Sequence, residues 1–391
     1  MRKVYMDHGA GMPLDSRVLE AMKPYFLADY GNPSSSHSYG NSAKEALVAS
    51  REKVARLVAA EKSRDVIFTS GGTESNNLAL KGVAFRNREK GNHIITTAIE
   101  HMSVINVCKY LQKQGFEVTY VPVDTQGVVD VEKLKAAITD KTILISVMYA
   151  NGEIGTIQPI REIGKLAREN SVLFHVDAVA AAGKVPINVK EENIDLLSVS
   201  SNDMYGPKGV GALYIKQGTK LVPIDQGGGQ ENGLRSGTEN IPGIVGMGTA
   251  AEFAQTEMTA EGKRLTGLRD KLIKGVLGKI DYSFLNGHPS QRLPGNANLR
   301  FSYIEGESLI LGLDLYGIQV SSGSACTSKT LEPSHVLTAI GLPHEVAHGS
   351  LVFTMGKQNS EDDVNYILEV LPDVVNRLRA LSPLTPKEIL R

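Results

Sequence analysis

Tryptophan is absent from this 391-residue chain, cysteine occurs only as Cys108 and Cys326, and 6% of the residues are aromatic. Two cysteines cannot build a disulfide framework, which points to a reducing, cytoplasmic setting. Hydrophobic residues make up 41% of the chain, yet no apolar run is long enough for a membrane-spanning helix. The opening Met1-Arg2-Lys3-Val4-Tyr5-Met6-Asp7 has no apolar stretch of the signal-peptide kind, so no secretory leader is expected. An excess of one charge is missing too. Forty-two lysines and arginines face 43 acidic residues, for a net charge of −1, and that balance leaves no footprint for nucleic acid. Internal repeats, low-complexity tracts and zinc-type ligand spacing are likewise missing. The length itself allows about two or three domains and a large core.

What is present reads as alternating strands and helices. Val4-Tyr5-Met6 is a short strand, followed by a Gly- and Pro-rich bend through Pro13, and Gly31 to His37 is a loop by composition. Ala43, Leu47, Val54 and Val58 recur at helical spacing. Strand Asp65 to Thr69 runs into Ser70-Gly71-Gly72-Thr73-Glu74 and a helix expected from about Ser75. A strand, a glycine turn and a helix amino terminus together form a cup for an anion such as phosphate. Taken alone, the same pattern is more often just a turn. Further strands are predicted over His93 to Thr97, Phe116 to Val121, Thr142 to Met148 and Val172 to Asp177, with helices over Met102 to Gln112 and Ile160 to Arg168. The continuous apolar run at Thr142 to Met148 marks a parallel sheet covered on both faces. His101 opens a helix, where capping is its bland role, and Cys108 shares a face with Val104 and Leu111, as a packing cysteine does. After about Lys279 the alternation gives way to shorter elements, which makes residues 15–258 a large domain and residues 1–14 with 259–391 a smaller one.

The rest of the chain is organised around Ser198-Val199-Ser200-Ser201-Asn202-Asp203-Met204-Tyr205-Gly206-Pro207-Lys208-Gly209, a polar loop between strands Leu196 to Ser200 and Gly211 to Ile215. Loops at the carboxyl ends of such strands are where open α/β sheets place their ligands. This loop resembles Ser-x-Ser-x-His-Lys-x-x-Gly-Pro-Lys-Gly of the cysteine desulfurases, a class V aminotransferase family that uses pyridoxal 5'-phosphate. The resemblance runs from Tyr5 to Leu381 and includes Gly31-Asn32-Pro33-Ser34-Ser35-Ser36-His37, His175-Val176-Asp177-Ala178 and Gly227 to Asn240. It implies an α/β fold-type I transferase: a large domain with a mostly parallel, seven-stranded sheet covered by helices, plus a smaller α+β carboxyl-terminal domain. It also implies a set of cofactor contacts. Gly72, Thr73, Ser200 and Thr238 would hold the phosphate, Thr238 reaching the neighbouring subunit of a homodimer. His101 would stack on the ring, Asp177 would pair with the pyridine nitrogen, and Ser201 and Asn202 would complete the cradle. Cys326, within an unbroken Gly323-Ser324-Ala325-Cys326-Thr327-Ser328, corresponds to the cysteine that carries sulfur as a persulfide. Small polar neighbours of that kind are the setting of reactive thiols.

Five positions depart from the family pattern. The cofactor-anchoring lysine is Asp203, its neighbouring histidine Asn202, the ring-oxygen glutamine Ala180, the second asparagine of Asn-Asn-Glu-x-Gly is Gly152, and the arginine for the substrate carboxylate is Val352. Lysine would supply both a covalent tether and a base, and aspartate supplies neither. Lys208, five residues along and beyond a turn, is expected to point elsewhere. Three readings follow. The chain is an active desulfurase that takes sulfur from L-cysteine onto Cys326. Or it is an assembly component with weakened cofactor chemistry, holding pyridoxal phosphate non-covalently and offering Cys326 to an iron–sulfur scaffold protein as a sulfur carrier or as a ligand of a shared cluster. Or it acts on another amino acid. The intact cysteine segment favours the second.

Overall fold

The computed structural model describes residues 2–323 and 333–389. Strand β1 (Val4–Tyr5) is followed by helices α1 (Ser16–Met22), α2 (Pro24–Leu27) and α3 (Ser38–Leu57). The alternating part comes next: β2 (Val66–Thr69), α4 (Gly72–Arg86), β3 (His93–Thr97), α5 (Met102–Lys113), β4 (Glu117–Val121), α6 (Val131–Ala136), β5 (Thr142–Met148), α7 (Ile160–Glu169), β6 (Leu173–Asp177), β7 (Leu196–Ser200) and β8 (Gly211–Ile215). These seven strands form one sheet in the order β2-β8-β7-β6-β5-β3-β4. Strand β8 is antiparallel to both neighbours, and every other pairing is parallel. Every residue of β2, β3, β5, β7 and β8 is buried. Strands covered on both faces need apolar runs rather than alternation, and these supply them.

Helix α4 begins at Gly72, one turn earlier than the sequence predicts. The glycine is required there: a Cβ at position 72 would lie 2.4 Å from Val179 Cγ2. The helix amino terminus is thereby pressed against the end of β6, at the carboxyl edge of the sheet.

Helix α8 (Ile241–Lys279) runs through 39 residues. Its first part, with Ile241, Ile244, Met247 and Ala251, packs into the core beneath the large sheet. Its last part, with Leu265, Leu268, Leu272 and Val276, packs into a second core. That core gathers β9 (Ser283–Asn286), β10 (Asn296–Phe301), α9 (Gly306–Asp314), β11 (Ile318–Gln319), β12 (Ser350–Thr354) and α12 (Glu361–Leu381) around it, while α10 (His335–Ala339) and α11 (His344–Ala347) pack in a separate small cluster with Ile99, Met148 and Ile154. Strands β12, β10 and β9 form an antiparallel sheet, while β1 pairs in parallel with β11, so Val4 and Met6 belong to the second core.

The segment Gly227 to Asn240 is tied down by charge. Arg51 on α3 grips Glu231 with both nitrogens, at 2.6 and 2.7 Å, and Glu231 Oε2 also accepts from Phe68 N at 2.8 Å. Only 2% of the Glu231 side chain is open. Glu231→Ala is expected to destabilise the fold by roughly 3–5 kcal/mol, because it strands the Arg51 charge. Urea unfolding of the variant against the wild type measures this.

Candidate active site

A cavity of about 500 Å³ opens where β3, β5, β6 and β7 end, roofed by Ser321, Ser334, His335, Val336, Val352 and Thr354 of the second unit. Open α/β sheets leave their ligand crevice at these carboxyl ends.

The sequence places eight cofactor residues here, and the fold brings six to the cavity: Gly72, Thr73, His101, Asp177, Ser200 and Asn202. Gly72 and Thr73 form the first turn of α4, so their free backbone N–H groups face an anion's place. Asp177 ends β6, with one carboxylate oxygen accepting from Asn76 Nδ2 at 2.7 Å and the other from Val179 N at 3.0 Å. Burial pushes its carboxyl above the ordinary range, with His101 opposing. A protonated ring nitrogen would supply the cation this buried carboxylate lacks. His101 caps α5, its Nδ1 accepting from Ser103 N at 3.1 Å and meeting Ser103 Oγ at 2.8 Å, so the capping role and the cavity role coexist. Ser200, the last residue of β7, lines the cavity. Asn202 Oδ1 is buried without a partner.

Ser201 and Thr238 do not line the cavity. Ser201 lies behind the wall, fully buried, its backbone bonded to Val210, Met204 and Gly206. The tight turn after it needs a glycine, since a Cβ at Gly206 would fall 2.1 Å from Ser201 Oγ. Thr238 is exposed on the surface. Cys326 lies outside the described residues.

The five departures converge. Gly152, Ala180, Asn202, Asp203 and Val352 all border the cavity, although they come from four separate stretches of chain. Val352 is buried in β12, pairing with Ser321, and presents an apolar side chain where the family has a cation. Lys208 is exposed and lines neither this cavity nor the smaller one behind it. The amine that does approach Asp203 is Lys184, with Nζ 4.0 Å from Asp203 Oδ1. Burial raises the Asp203 carboxyl and depresses the Lys184 ammonium, and each opposes that shift in the other.

Four residues of this site carry no signal in sequence. Asn76 lies one helical turn beyond Gly72 and holds Asp177. Lys184 follows an Ala-Ala-Gly turn like any surface lysine. Glu100 sits fully buried beside His101, accepting from Thr97 Oγ1 at 2.6 Å and Met148 N at 3.1 Å, with its carboxyl pushed up to about 8. Glu153 accepts from Ser334 Oγ at 2.7 Å, and burial pushes its carboxyl up to about 7. Only adjacency to a suspected motif could have marked the two acids.

Residues 4–367 match the Aminotransferase class-V family. The chain belongs to the class V aminotransferases, among the cysteine desulfurases. It is 55% identical over 387 residues to "Cysteine desulfurase IscS" of Methanosarcina thermophila, covering 99% of this chain and 95% of that one. It is 56% identical to "Cysteine desulfurase IscS 1" of Archaeoglobus fulgidus, covering 97% and 99%. Among solved structures, a "NifS-like protein" superposes with a TM-score of 0.90 at 38% identity, covering 96% of this chain and 100% of that one. "SspA in complex with cysteine" superposes at 0.81 and 36% identity, over 90% and 99%. Pyridoxal phosphate is the cofactor this membership implies, and the residues present fit it. The helix amino terminus offers N–H groups, Asp177 lacks a cation, and Asn76 Oδ1 and Asn202 Oδ1 are buried without partners. Among the described residues no helix is long and apolar enough to cross a membrane, and no cluster of metal ligands occurs.

The raised Glu100 carboxyl has a pH consequence. With its folded value near 8 and its unfolded value near 4.5, folding takes up a proton between those limits, so stability falls as pH rises through that window. Its share has a slope of up to about 1.4 kcal/mol per pH unit. Glu100→Gln is expected to flatten the decline without abolishing it, because Glu153 contributes up to about 7. Urea unfolding at pH 5.5, 7 and 8 measures the difference.

Proposed function

We propose that this chain is a cysteine desulfurase-family component of iron–sulfur cluster assembly, with weakened cofactor chemistry, in which Cys326 is the persulfide carrier or cluster ligand delivered to a scaffold protein. The observation that carries the reading is the split within one cavity. The cofactor contacts Gly72, Thr73, His101 and Asp177 are retained, while position 203 is a carboxylate facing Lys184, and position 352 is valine.

The bound cofactor would supply an electron sink for reactions at an amino-acid α-carbon. Gly72 and Thr73 would hold its phosphate, Asp177 would keep a proton on the ring nitrogen, and His101 would cover the ring. Ser200 lines the cavity beside them. Asp203 offers no amine for a tether, and its charge is balanced by Lys184 rather than directed at substrate. Val352 gives a substrate carboxylate no partner, a loss of roughly 1.5–3 kcal/mol. The chain would hold pyridoxal phosphate without a covalent bond and turn over cysteine poorly.

Sulfur then reaches Cys326 from a sulfane-sulfur donor. The Cys326 thiolate attacks the outer sulfur, a new S–S bond forms, and the donor leaves as its own thiolate. The same soft thiolate suits iron when a cluster is shared with the scaffold. A homodimer, with Thr238 on the surface reaching the other subunit's phosphate, completes the proposal.

Anaerobic cluster reconstitution on the scaffold is the test. Cys326→Ser is expected to lower cluster yield or alter the cluster spectrum, and an unchanged yield, spectrum and oxygen lability would overturn the role. Restoring Asp203→Lys alone is expected to recover little sulfide release. The new amine would face the Lys184 ammonium in place of Asp203, and Val352 would still leave the carboxylate unheld. Asp203→Lys with Val352→Arg is expected to release clearly more, and sulfide assays compare the two.

A further inference from the structure

Two buried residues connect Asp177 to His101. Asn76 stands in the second turn of α4, and Ser103 in the first turn of α5. The Asn76 amide nitrogen lies 2.7 Å from Asp177 Oδ2 and 2.8 Å from Ser103 Oγ. An amide nitrogen carries two hydrogens, and these two contacts use both. The Ser103 hydroxyl in turn lies 2.8 Å from His101 Nδ1. Asp177, Asn76, Ser103 and His101 therefore form one unbroken hydrogen-bond chain along the cavity wall, and all four line the cavity.

The direction of this chain is fixed at both ends. At one end a carboxylate oxygen accepts, so Asn76 turns its nitrogen, not its oxygen, to Asp177. The second Asn76 hydrogen goes to Ser103 Oγ, which leaves the hydroxyl's own hydrogen for His101 Nδ1. At the other end the Ser103 backbone N–H points at the same Nδ1, at 3.1 Å. A backbone N–H cannot accept, so a hydrogen on Nδ1 would face another hydrogen. The two ends are independent, and both require Nδ1 to be bare. In a neutral imidazole the proton then sits on Nε2. Among the described residues, the hydrogen bonds of the His101 ring all fall on Nδ1. His101 is exposed, and Nε2–H is its free donor.

We propose that Asn76 and Ser103 are positioning residues that read the Asp177 carboxylate and hold the neutral His101 ring in its Nε2–H form. The charge on Asp177 orients the amide, the amide orients the hydroxyl, and the hydroxyl faces Nδ1. The cavity thus meets a histidine that donates, not one that accepts. A ligand atom with a free lone pair, such as an anionic oxygen or sulfur, finds a partner there, and an N–H or O–H does not. The inference rests on the reading above only in taking the cavity as the cofactor site. It involves neither Cys326 nor turnover.

Nuclear magnetic resonance of the full chain with 15N-labelled histidine tests it at pH 8, because long-range couplings show which ring nitrogen bears the proton. The chain has nine histidines, and His101→Gln identifies the signal. Wild type is expected to show His101 with Nδ1 bare, both alone and with added pyridoxal phosphate. Ser103→Ala leaves only the longer backbone contact, so the Nδ1–H fraction should rise roughly five- to tenfold, the weight of one hydrogen bond. Asn76→Ala should raise it as well, although Asn76 makes no hydrogen bond to His101. Ser103→Thr keeps the hydroxyl and should match wild type. A merely structural role would lower stability without moving the proton. Three results would each overturn the proposal: a proton on Nδ1 in wild type, a ring unmoved by Ser103→Ala, or a ring unmoved by Asn76→Ala. The first needs no variant, so the test survives a substitution that fails to fold. An unchanged cluster yield in Cys326→Ser would overturn the sulfur role and leave this result standing.

Discussion

Strands β3, β5 and β7 are buried along their whole length, so polar chemistry can leave this sheet only at its ends. That constraint decides where everything else lies. Asp177 is the last residue of β6, Ser200 the last of β7, and Glu100 and His101 follow β3 within four residues. A carboxylate at such an end is cut off from water on three sides and must find hydrogen bonds or a counter-charge. Asp177 finds Asn76 and a backbone N–H, the Glu100 carboxyl is pushed up to about 8, and Asp203 faces Lys184. Each of these three acids meets the demand by a different device.

The long helix α8 couples that cavity to the second unit. Because one helix contributes to both cores, the roof carried by β12 and Ser334 is referenced to the floor carried by the large sheet. Glu153 spans the same junction: its backbone carbonyl accepts from Asn296 and Asn298 on β10, and its carboxylate accepts from Ser334. Val352 and Gly152 therefore belong to one enclosure although 200 residues of sequence separate them.

The departures from the family pattern make physical sense as a group. Where the family pattern has a lysine, Asp203 puts a negative charge on the cavity wall. Lys184 offsets it. Small residues at 152 and 180 remove the side chains that would stand across the same wall. The departures lie on one side of the cavity, while Asp177 keeps hydrogen bonds to both carboxylate oxygens, from Asn76 Nδ2 and Val179 N.

Much of this was legible in the chain. Continuous apolar runs such as Thr142 to Met148 mark strands covered on both faces, and the strand ranges at His93 to Thr97, Leu196 to Ser200 and Gly211 to Ile215 are reproduced residue for residue, because burial on both sides leaves no freedom of register. The family resemblance also named Gly72, Thr73, His101 and Asp177, and the fold gathers all four at one cavity, each at or next to an element boundary. Other features had no local cause. Helix α4 starts at Gly72 because Val179, a hundred residues away, leaves room only for glycine. Glu100 and Glu153 hold their protons because distant strands exclude water from them. Lys184 looks like a surface lysine in the sequence, and only the packing of α8 over the end of the sheet turns it inward to Asp203. Local residue order determines which elements form; the dielectric and the partners around a charge come from segments remote in the chain, and tertiary structure alone supplies them.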